Sequence, residues 1–314
     1  MNWKNKAAVQ NLISIFPNIL SYELYFLIQR YFGEYKKPYN PMSHFEVGAN
    51  ILRMIKTHGH SINNKTFFEV GTGRIPILPI VFWLCGASKT ITVDLNPYLR
   101  DTLLNDMLYY VRTDEEKINK ILGGLIDKDR FDVLRKYSKM KKIGRYDFLR
   151  ALNIEYIAPG DASKIILMEK SIDYHISYTV YEHIPISVLY KILCEGNRII
   201  KDDGLFINCI DYGDHFSYSD KNISPINFLQ YSDDEWIKIA NNKYMYMNRA
   251  RHDDYLELFF NANHEVVEVI PHIEPGITNI LNSREFILDT RFKNKPIDIL
   301  EITSSWFVTK NRTT

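Results

Sequence analysis

The stretch Thr66-Phe67-Phe68-Glu69-Val70-Gly71-Thr72-Gly73 decides how this chain is read. Residues 66–70 are aromatic, β-branched and apolar around one carboxylate, which predicts a strand. The glycines then break it. Glycine has no Cβ and takes backbone angles that other residues avoid, so a Gly-Thr-Gly turn lets the main chain come close to a ligand. A helix is predicted next, over 77–85, with Pro76 near its first turn where a missing N–H does no harm. Pro76 also stands where a dinucleotide fingerprint carries its third glycine, which argues against NAD and FAD.

Outward from this point, strand and helix alternate. Strands are predicted over 90–93, 154–158, 172–177 and 205–210, the last entered through the turn Asp202-Asp203-Gly204, with helices over 98–111 and 186–200. Such alternation predicts an α/β fold, a mostly parallel sheet with helices on both faces. A long helical region over 225–262 and two strand-like runs, 265–270 and 304–309, complete the chain. Residues 1–60 read as an N-terminal helical extension, apolar nearly all round between Leu20 and Tyr31. A helix of that kind is buried, packs on a second copy in a homodimer, or lies at a membrane surface. Residues 113–152 interrupt the alternation as a charged, helical insertion.

Composition narrows the class. The 314 residues carry 39 Lys+Arg against 38 Asp+Glu, a net charge of +1, and 46% are hydrophobic, so disorder is excluded and a protein that coats nucleic acid by bulk charge is disfavoured. Six basic residues do cluster in 135–145, as a solvated helix face or as a seat for a phosphate-bearing or lipid-linked substrate. Cys85, Cys194 and Cys209 are too few and too scattered for a disulfide framework or a zinc site, and buried, inert thiols are expected. With neither a secretory signal nor an apolar run long enough to span a bilayer, a cytoplasmic setting is expected, with peripheral contact at the inner face of the membrane left open.

Polar residues close the predicted strands, where open α/β sheets bind ligands. Asp94, about twenty residues after the glycines, suits bidentate contact with the two hydroxyls of a ribose; Asp161 is placed to accept from an exocyclic amine such as that of adenine. A helix N-cap is the other reading of each. Their order at consecutive strand ends favours a nucleoside cofactor.

Together, EVGTG (69–73), TVDLN (92–96), GDAS (160–163) and SYTVYEHI (177–184) resemble the successive motifs of class I S-adenosylmethionine-dependent methyltransferases over about 66–211. The resemblance implies a Rossmann-like sheet of seven strands and S-adenosyl-L-methionine as cofactor. Through it, Glu69, Gly71 and Gly73 fall to the methionine end, Asp94 to the ribose, and Asp161 with Ala162 to the adenine. Ser177 joins the cofactor set as the start of the fourth motif. Ile75 departs from the pattern, where many members have a third glycine. Beyond residue 40 the chain further resembles bacterial methyltransferases associated with glycan and cell-surface polysaccharide synthesis, through 69–87, 211–236 and 248–255. Residues 61–314 would then be the methyltransferase domain, with 212–262 as its acceptor-side helical segment.

Methyl transfer from a sulfonium needs an aligned nucleophile, and a sugar hydroxyl needs a base. His183 and His215 follow strands four and five, and Asp211 or Asp214 could orient either imidazole. Glu182 suits the methionyl amine or a cap of the next helix. Asp211, Asp214 and His215 could also hold a divalent ion, but the spacing matches no metal motif and none is expected. Arg249 and Arg251 are expected to bind an anionic acceptor, with Asp214 beside them; salt bridges to Asp253 or Asp254 are the alternative. The expected function is O-methylation of a sugar hydroxyl in a surface glycan or its nucleotide- or lipid-linked precursor. A methyltransferase for a lipid quinone or secondary metabolite and a non-catalytic cofactor-binding scaffold are the alternatives. No nucleic-acid partner is expected, since an amino-methylating enzyme would carry Asn/Asp-Pro-Pro-aromatic where SYTVYEHI stands.

Overall fold

The computed structural model describes residues 2–141, 143–240 and 242–312; Lys142, one of the basic run, lies outside the described residues. Three helices open the chain: α1 (Trp3–Ser14), α2 (Asn18–Phe32) and α3 (Met42–Thr57). Alternation begins with β1 (Thr66–Val70), α4 (Ile77–Leu84), β2 (Lys89–Val93) and α5 (Asp101–Thr113). The insertion holds α6 (Glu115–Leu122), α7 (Lys128–Ser138) and α8 (Arg145–Ala151). Then come β3 (Ile154–Ile157), β4 (Ile172–Tyr178), α9 (Ile186–Ile199) and β5 (Ile200–Asp211). The remainder carries α10 (Asp233–Ala240), α11 (His252–Asn261), β6 (His264–His272), α12 (Ile277–Leu281), α13 (Ile297–Leu300) and β7 (Ser304–Asn311).

The strands form one mixed seven-stranded sheet in the order β3-β2-β1-β4-β5-β7-β6, with helices around it, the Rossmann-like sheet that the resemblance implied. β1 pairs in parallel with β2 on one edge and β4 on the other, and β2 pairs in parallel with β3. Strand order reverses between β1 and β4. The chain divides into two compact units. The first comprises Met1–Ile28, Thr179–Tyr190 and Asn208–Phe307; the second comprises Gln29–Tyr178, Lys191–Ile207 and Val308–Thr314.

In the second unit, Phe67 and Phe68 are fully buried on successive positions of β1, so both faces of the strand are covered. Every residue of α4 is buried, and α3 brings Phe45, Ile51, Leu52 and Ile55 to the core. Helix α5 buries Leu103, Leu104, Met107, Leu108 and Val111, the helical spacing read from sequence. The arginines of the basic run are paired: Arg135 with Glu115 and Asp132, Arg145 with Asp101 at 2.8 Å. In the first unit an aromatic core gathers Trp3, Phe216, Phe228, Trp236 and Phe292, and the Trp3 amide donates to Asp220 Oδ2 at 2.8 Å. Ile15, just after α1, and Ile19, in the first turn of α2, are 79% and 86% exposed and make an apolar tip between the two helices. Among the described residues no helix is long and apolar enough to cross a membrane.

Three expectations are corrected. Asp202-Asp203-Gly204 is not a turn before the fifth strand but lies inside β5. A Cβ on Gly204 would sit 2.8 Å from the Asp173 carbonyl oxygen, so glycine lets the strand pass close to its neighbour. The helical region over 225–262 is broken into a 3-10 turn (Asn227–Gln230), α10 and α11, with 242–251 irregular between the helices. Cys194 is exposed on α9, while Cys85 and Cys209 are buried as expected.

Gly48 tests the packing of α3 on α4. A Cβ there would lie 2.7 Å from Val81 Cγ1, on a β-branched, fully buried side chain. Alanine gains about 1 kcal/mol of helix propensity, against roughly 1–3 kcal/mol for overpacking. Gly48→Ala is expected to lower stability by about 1 kcal/mol in urea unfolding, and Val81→Ala in the same chain to reverse the sign of the Gly48→Ala effect.

Candidate functional site

In the second unit the register Val70↔Val93 and Val70↔Ser177 brings the ends of β1, β2 and β4 level, at the point where strand order reverses. Open α/β sheets bind ligands in that crevice. Gly71 and Gly73 both take positive φ, +95° and +66°, and a Cβ on Gly73 would meet nothing within 4 Å, so the turn is open on that side. Asp94 Oδ2 accepts the Gly73 amide at 2.9 Å and Oδ1 accepts the Asn96 amide at 3.0 Å. Each oxygen keeps further lone-pair capacity, enough for two hydroxyl donors. Burial pushes the Asp94 carboxyl up to about 6 despite those amides. Glu69, 3% exposed, accepts from the Thr92 hydroxyl, and burial pushes it up to about 8. A carboxyl so desolvated ionises readily only beside a cation.

The remaining residues expected at the cofactor hold more local positions. The Gly160 amide donates to the Asp94 carbonyl at 2.9 Å, which brings 160–163 beside β2. Asp161 Oδ1 accepts from the Ser163 hydroxyl at 2.6 Å and amide at 2.9 Å, bonds that hold its carboxyl below the usual value; it caps a turn rather than a helix. Ala162 is buried. Ser177 is fully buried and donates to the Val70 carbonyl at 3.3 Å, tying β4 to β1.

Sequence reasoning missed a cluster beside the end of β4. The Tyr39 hydroxyl lies 3.0 Å from His44 Nδ1, the His44 ring meets Tyr178 edge-on at 6.2 Å, and burial lowers the His44 pKa. In sequence, residues 35–41 (YKKPYNP) signal only an irregular connection, and nothing in their spacing says that they return to this strand.

The first unit assembles the histidines. Thr179, just past β4, takes φ +50°, an unusual conformation for a β-branched residue and of the kind that concentrates at functional sites. A 3-10 turn, Tyr181–His183, follows. Asn248 clasps it: its amide donates to the Glu182 carbonyl, and its Nδ2 to the carbonyls of Tyr181 and Ile184, each at 2.9 Å. His183 Nδ1 pairs with the Tyr246 carbonyl at 2.8 Å, which makes it the protonated nitrogen and leaves Nε2 a lone pair. Burial first, then the adjacent His215, lowers His183 to about 4, so it is neutral at pH 7.

The His183 and His215 rings lie 4.8 Å apart, centroid to centroid. His215 Nε2 is 3.3 Å from Asp211 Oδ2, within ion-pair reach but off the line of a hydrogen bond. Asp211 also accepts from the Gly213 amide at 2.7 Å and from the Tyr218 hydroxyl. Burial pushes Asp211 up, but the His215 ring, Tyr218 and the Gly213 amide outweigh it and hold the carboxyl below its ordinary value. Glu182 is 2% exposed, and burial with Asp211 nearby raises its pKa well above the usual range. Among the described residues neither of its carboxyl oxygens reaches a hydrogen-bond partner, and it does not cap the next helix.

Arg249, Arg251 and Asp214, expected at the acceptor, all lie buried within the first unit. Arg251 is fully buried and donates to the carbonyls of Tyr212, Leu300 and Ile302. Arg249 donates to the carbonyls of Phe228 and Tyr231 and pairs with Asp233. These guanidinium groups brace the first unit from inside and are committed to carbonyls, and Lys295 rather than either arginine pairs with Asp253 and Asp254. Asp214, fully buried, accepts from the Phe216 amide and Asn227 Nδ2, both at 2.9 Å, and orients neither imidazole.

No family model matches the chain, and no curated protein matches it by sequence. Its structure is similar to solved ones. A SAM-dependent methyltransferase from Methanosarcina mazei is 11% identical, with 82% of this chain and 98% of that one covered and a TM-score of 0.45. The magnesium protoporphyrin IX methyltransferase of Synechocystis PCC 6803, solved with bound SAH, is 9% identical over 92% and 99%, at 0.46. A protein from Pyrococcus horikoshii is 14% identical over 91% and 99%, also at 0.46.

Removing the Arg251 guanidinium would leave three buried carbonyls without a donor. Arg251→Met is expected to cost on the order of 3 kcal/mol in chemical denaturation. A surface anion site would lose almost no stability on the same change.

Proposed function

We propose that the chain is an S-adenosylmethionine-dependent O-methyltransferase acting on a sugar hydroxyl of a surface glycan or its nucleotide- or lipid-linked precursor. The observation that carries the reading is the pairing, past β4 and β5, of two imidazoles with a carboxylate beside one of them. A scaffold that only binds a nucleoside has no use for that arrangement. The sugar acceptor rests on the likeness of 69–87, 211–236 and 248–255 to glycan-associated methyltransferases.

S-adenosylmethionine, when bound, would supply an activated methyl group on a sulfonium, with the C–S electron pair leaving to sulfur on displacement by an oxygen nucleophile. The residues of the second unit fit such a cofactor. Gly71 and Gly73 give it an open turn, Asp94 has lone pairs for two ribose hydroxyls, and Glu69 is a desolvated carboxyl that an ammonium group would ionise. Asp161, Ala162 and Ser177 complete the set on the adenine side and at β4. In the first unit His215 takes the acceptor's hydroxyl proton, and Asp211 stabilises the imidazolium that results. His183 is too weakly basic for that task, but its Nε2 lone pair can accept from the hydroxyl and orient it.

Calorimetry with S-adenosylhomocysteine tests the cofactor. Binding is expected for the natural chain and lost in Asp94→Ala. Because the Glu69 carboxyl titrates at about 8 and a methionyl ammonium needs it ionised, affinity should rise between pH 6 and 8 and level off above. The slope should approach about tenfold per pH unit, and Glu69→Gln should flatten it. With a sugar acceptor, His215→Ala is expected to lower kcat by roughly 10²–10⁴ while leaving cofactor affinity unchanged. Unaltered turnover in His215→Ala would refute the base.

A further inference from the structure

We propose that Glu182, His183 and His215 form a binding site for a divalent transition-metal ion. One potential ligand atom from each lies within 4.8 Å of the other two. Ligands about 2.0–2.2 Å from a shared ion at tetrahedral angles are about 3.3–3.6 Å apart, so closing the site asks separations of up to 4.8 Å to shorten by about 1 Å, within the reach of side-chain rotation. All three residues belong to the first unit and come from two short segments, the 3-10 turn after β4 and the loop after β5.

Two further features point to an ion. The Glu182 carboxyl is almost wholly removed from solvent, and among the described residues neither oxygen has a hydrogen-bond partner; the backbone amides of Glu182 and Asp211 offset only part of its burial. Buried carboxyl groups are normally satisfied, and one that is not marks a place where something else binds. His183, for its part, has the arrangement of a metal-ligating histidine. Its Nδ1 is held by the Tyr246 carbonyl at 2.8 Å, which fixes the tautomer and leaves Nε2 as the donor atom. Asp211, 3.3 Å from the His215 ring, is the outer carboxylate that such sites use to orient a second imidazole.

The donor set selects the ion. Two imidazoles and one carboxylate suit Zn²⁺, Mn²⁺, Co²⁺ or Fe²⁺, whereas Mg²⁺ and Ca²⁺ favour oxygen ligands throughout. Three protein ligands leave coordination positions open, as in catalytic rather than structural sites. The inference rests on the reading above and alters one part of it. An ion held here binds the acceptor's hydroxyl oxygen and lowers its pKa. His183 and His215 then serve as ligands, and the hydroxyl proton, made more acidic by the ion, leaves to solvent water as the O–H bond breaks.

Titration of the chelator-treated full chain with Co²⁺, followed by visible d–d absorption, tests the site directly. Saturation at one equivalent is expected, with bands of a mixed nitrogen and oxygen environment. His215→Ala should weaken Co²⁺ binding at least about 100-fold, and the isosteric Glu182→Gln, which preserves shape, at least about tenfold. Absence of saturable binding in the natural chain overturns the proposal, as does equal affinity in both variants. S-adenosylhomocysteine binding, measured on the same samples, separates the two readings. Co²⁺ binding without nucleoside binding would sink the methyltransferase and keep the metal site; the reverse would sink the metal site alone.

Discussion

The second unit depends on β1 being hydrogen-bonded along both edges. A strand buried on both faces can leave no amide or carbonyl unpaired, and β1 meets that demand only by lying between β2 and β4. Phe67 and Phe68, side by side and fully enclosed, make the double pairing obligatory. Its register then sets the level at which Val70, Val93 and Ser177 end together. Whatever polar residue comes next in each strand is delivered to the same place. Glu69, just before Val70, is enclosed between β2 and β4, and Asp94, just after Val93, is partly withdrawn from water, so burial leaves the first mostly protonated at neutral pH and holds the second above the normal carboxylate range.

Much of this was legible in the sequence. The five strands up to residue 211 follow from short apolar runs, all but β4 closed by a nearby glycine or aspartate, signals within one element. Where local chemistry and pairing disagreed, pairing prevailed: Asp202-Asp203-Gly204 has the residues of a turn, yet continues β5 because Gly204 leaves room for the Asp173 carbonyl. The gap within 225–262 is a different case. Arg249 takes a φ of +55°, a left-handed conformation that no periodicity announces.

The candidate site was legible residue by residue and not as a constellation. His183 and His215 are thirty-two residues apart in sequence, by the difference of their numbers, and only the fold brings their rings together. Arginines near a suspected site suggest an anion, but Arg249 and Arg251 find their partners among main-chain carbonyls between 18 and 51 residues away, contacts that carry no side-chain signature. Glu182 is the instructive case. In sequence it is one polar residue in a polar turn; in the fold it is an enclosed carboxyl with both oxygens unsatisfied.

The Asn248 clasp has a practical consequence for anyone recombining such proteins. His183 owes its tautomer to Tyr246 and its backbone position to Asn248, so the turn after β4 and the segment sixty residues later behave as one inherited part. A chimera that exchanges the loops beyond β5 for those of another protein would silently change the imidazole that precedes them. Segments 181–184 and 244–248 therefore have to travel together as a cassette, however far apart they stand along the chain.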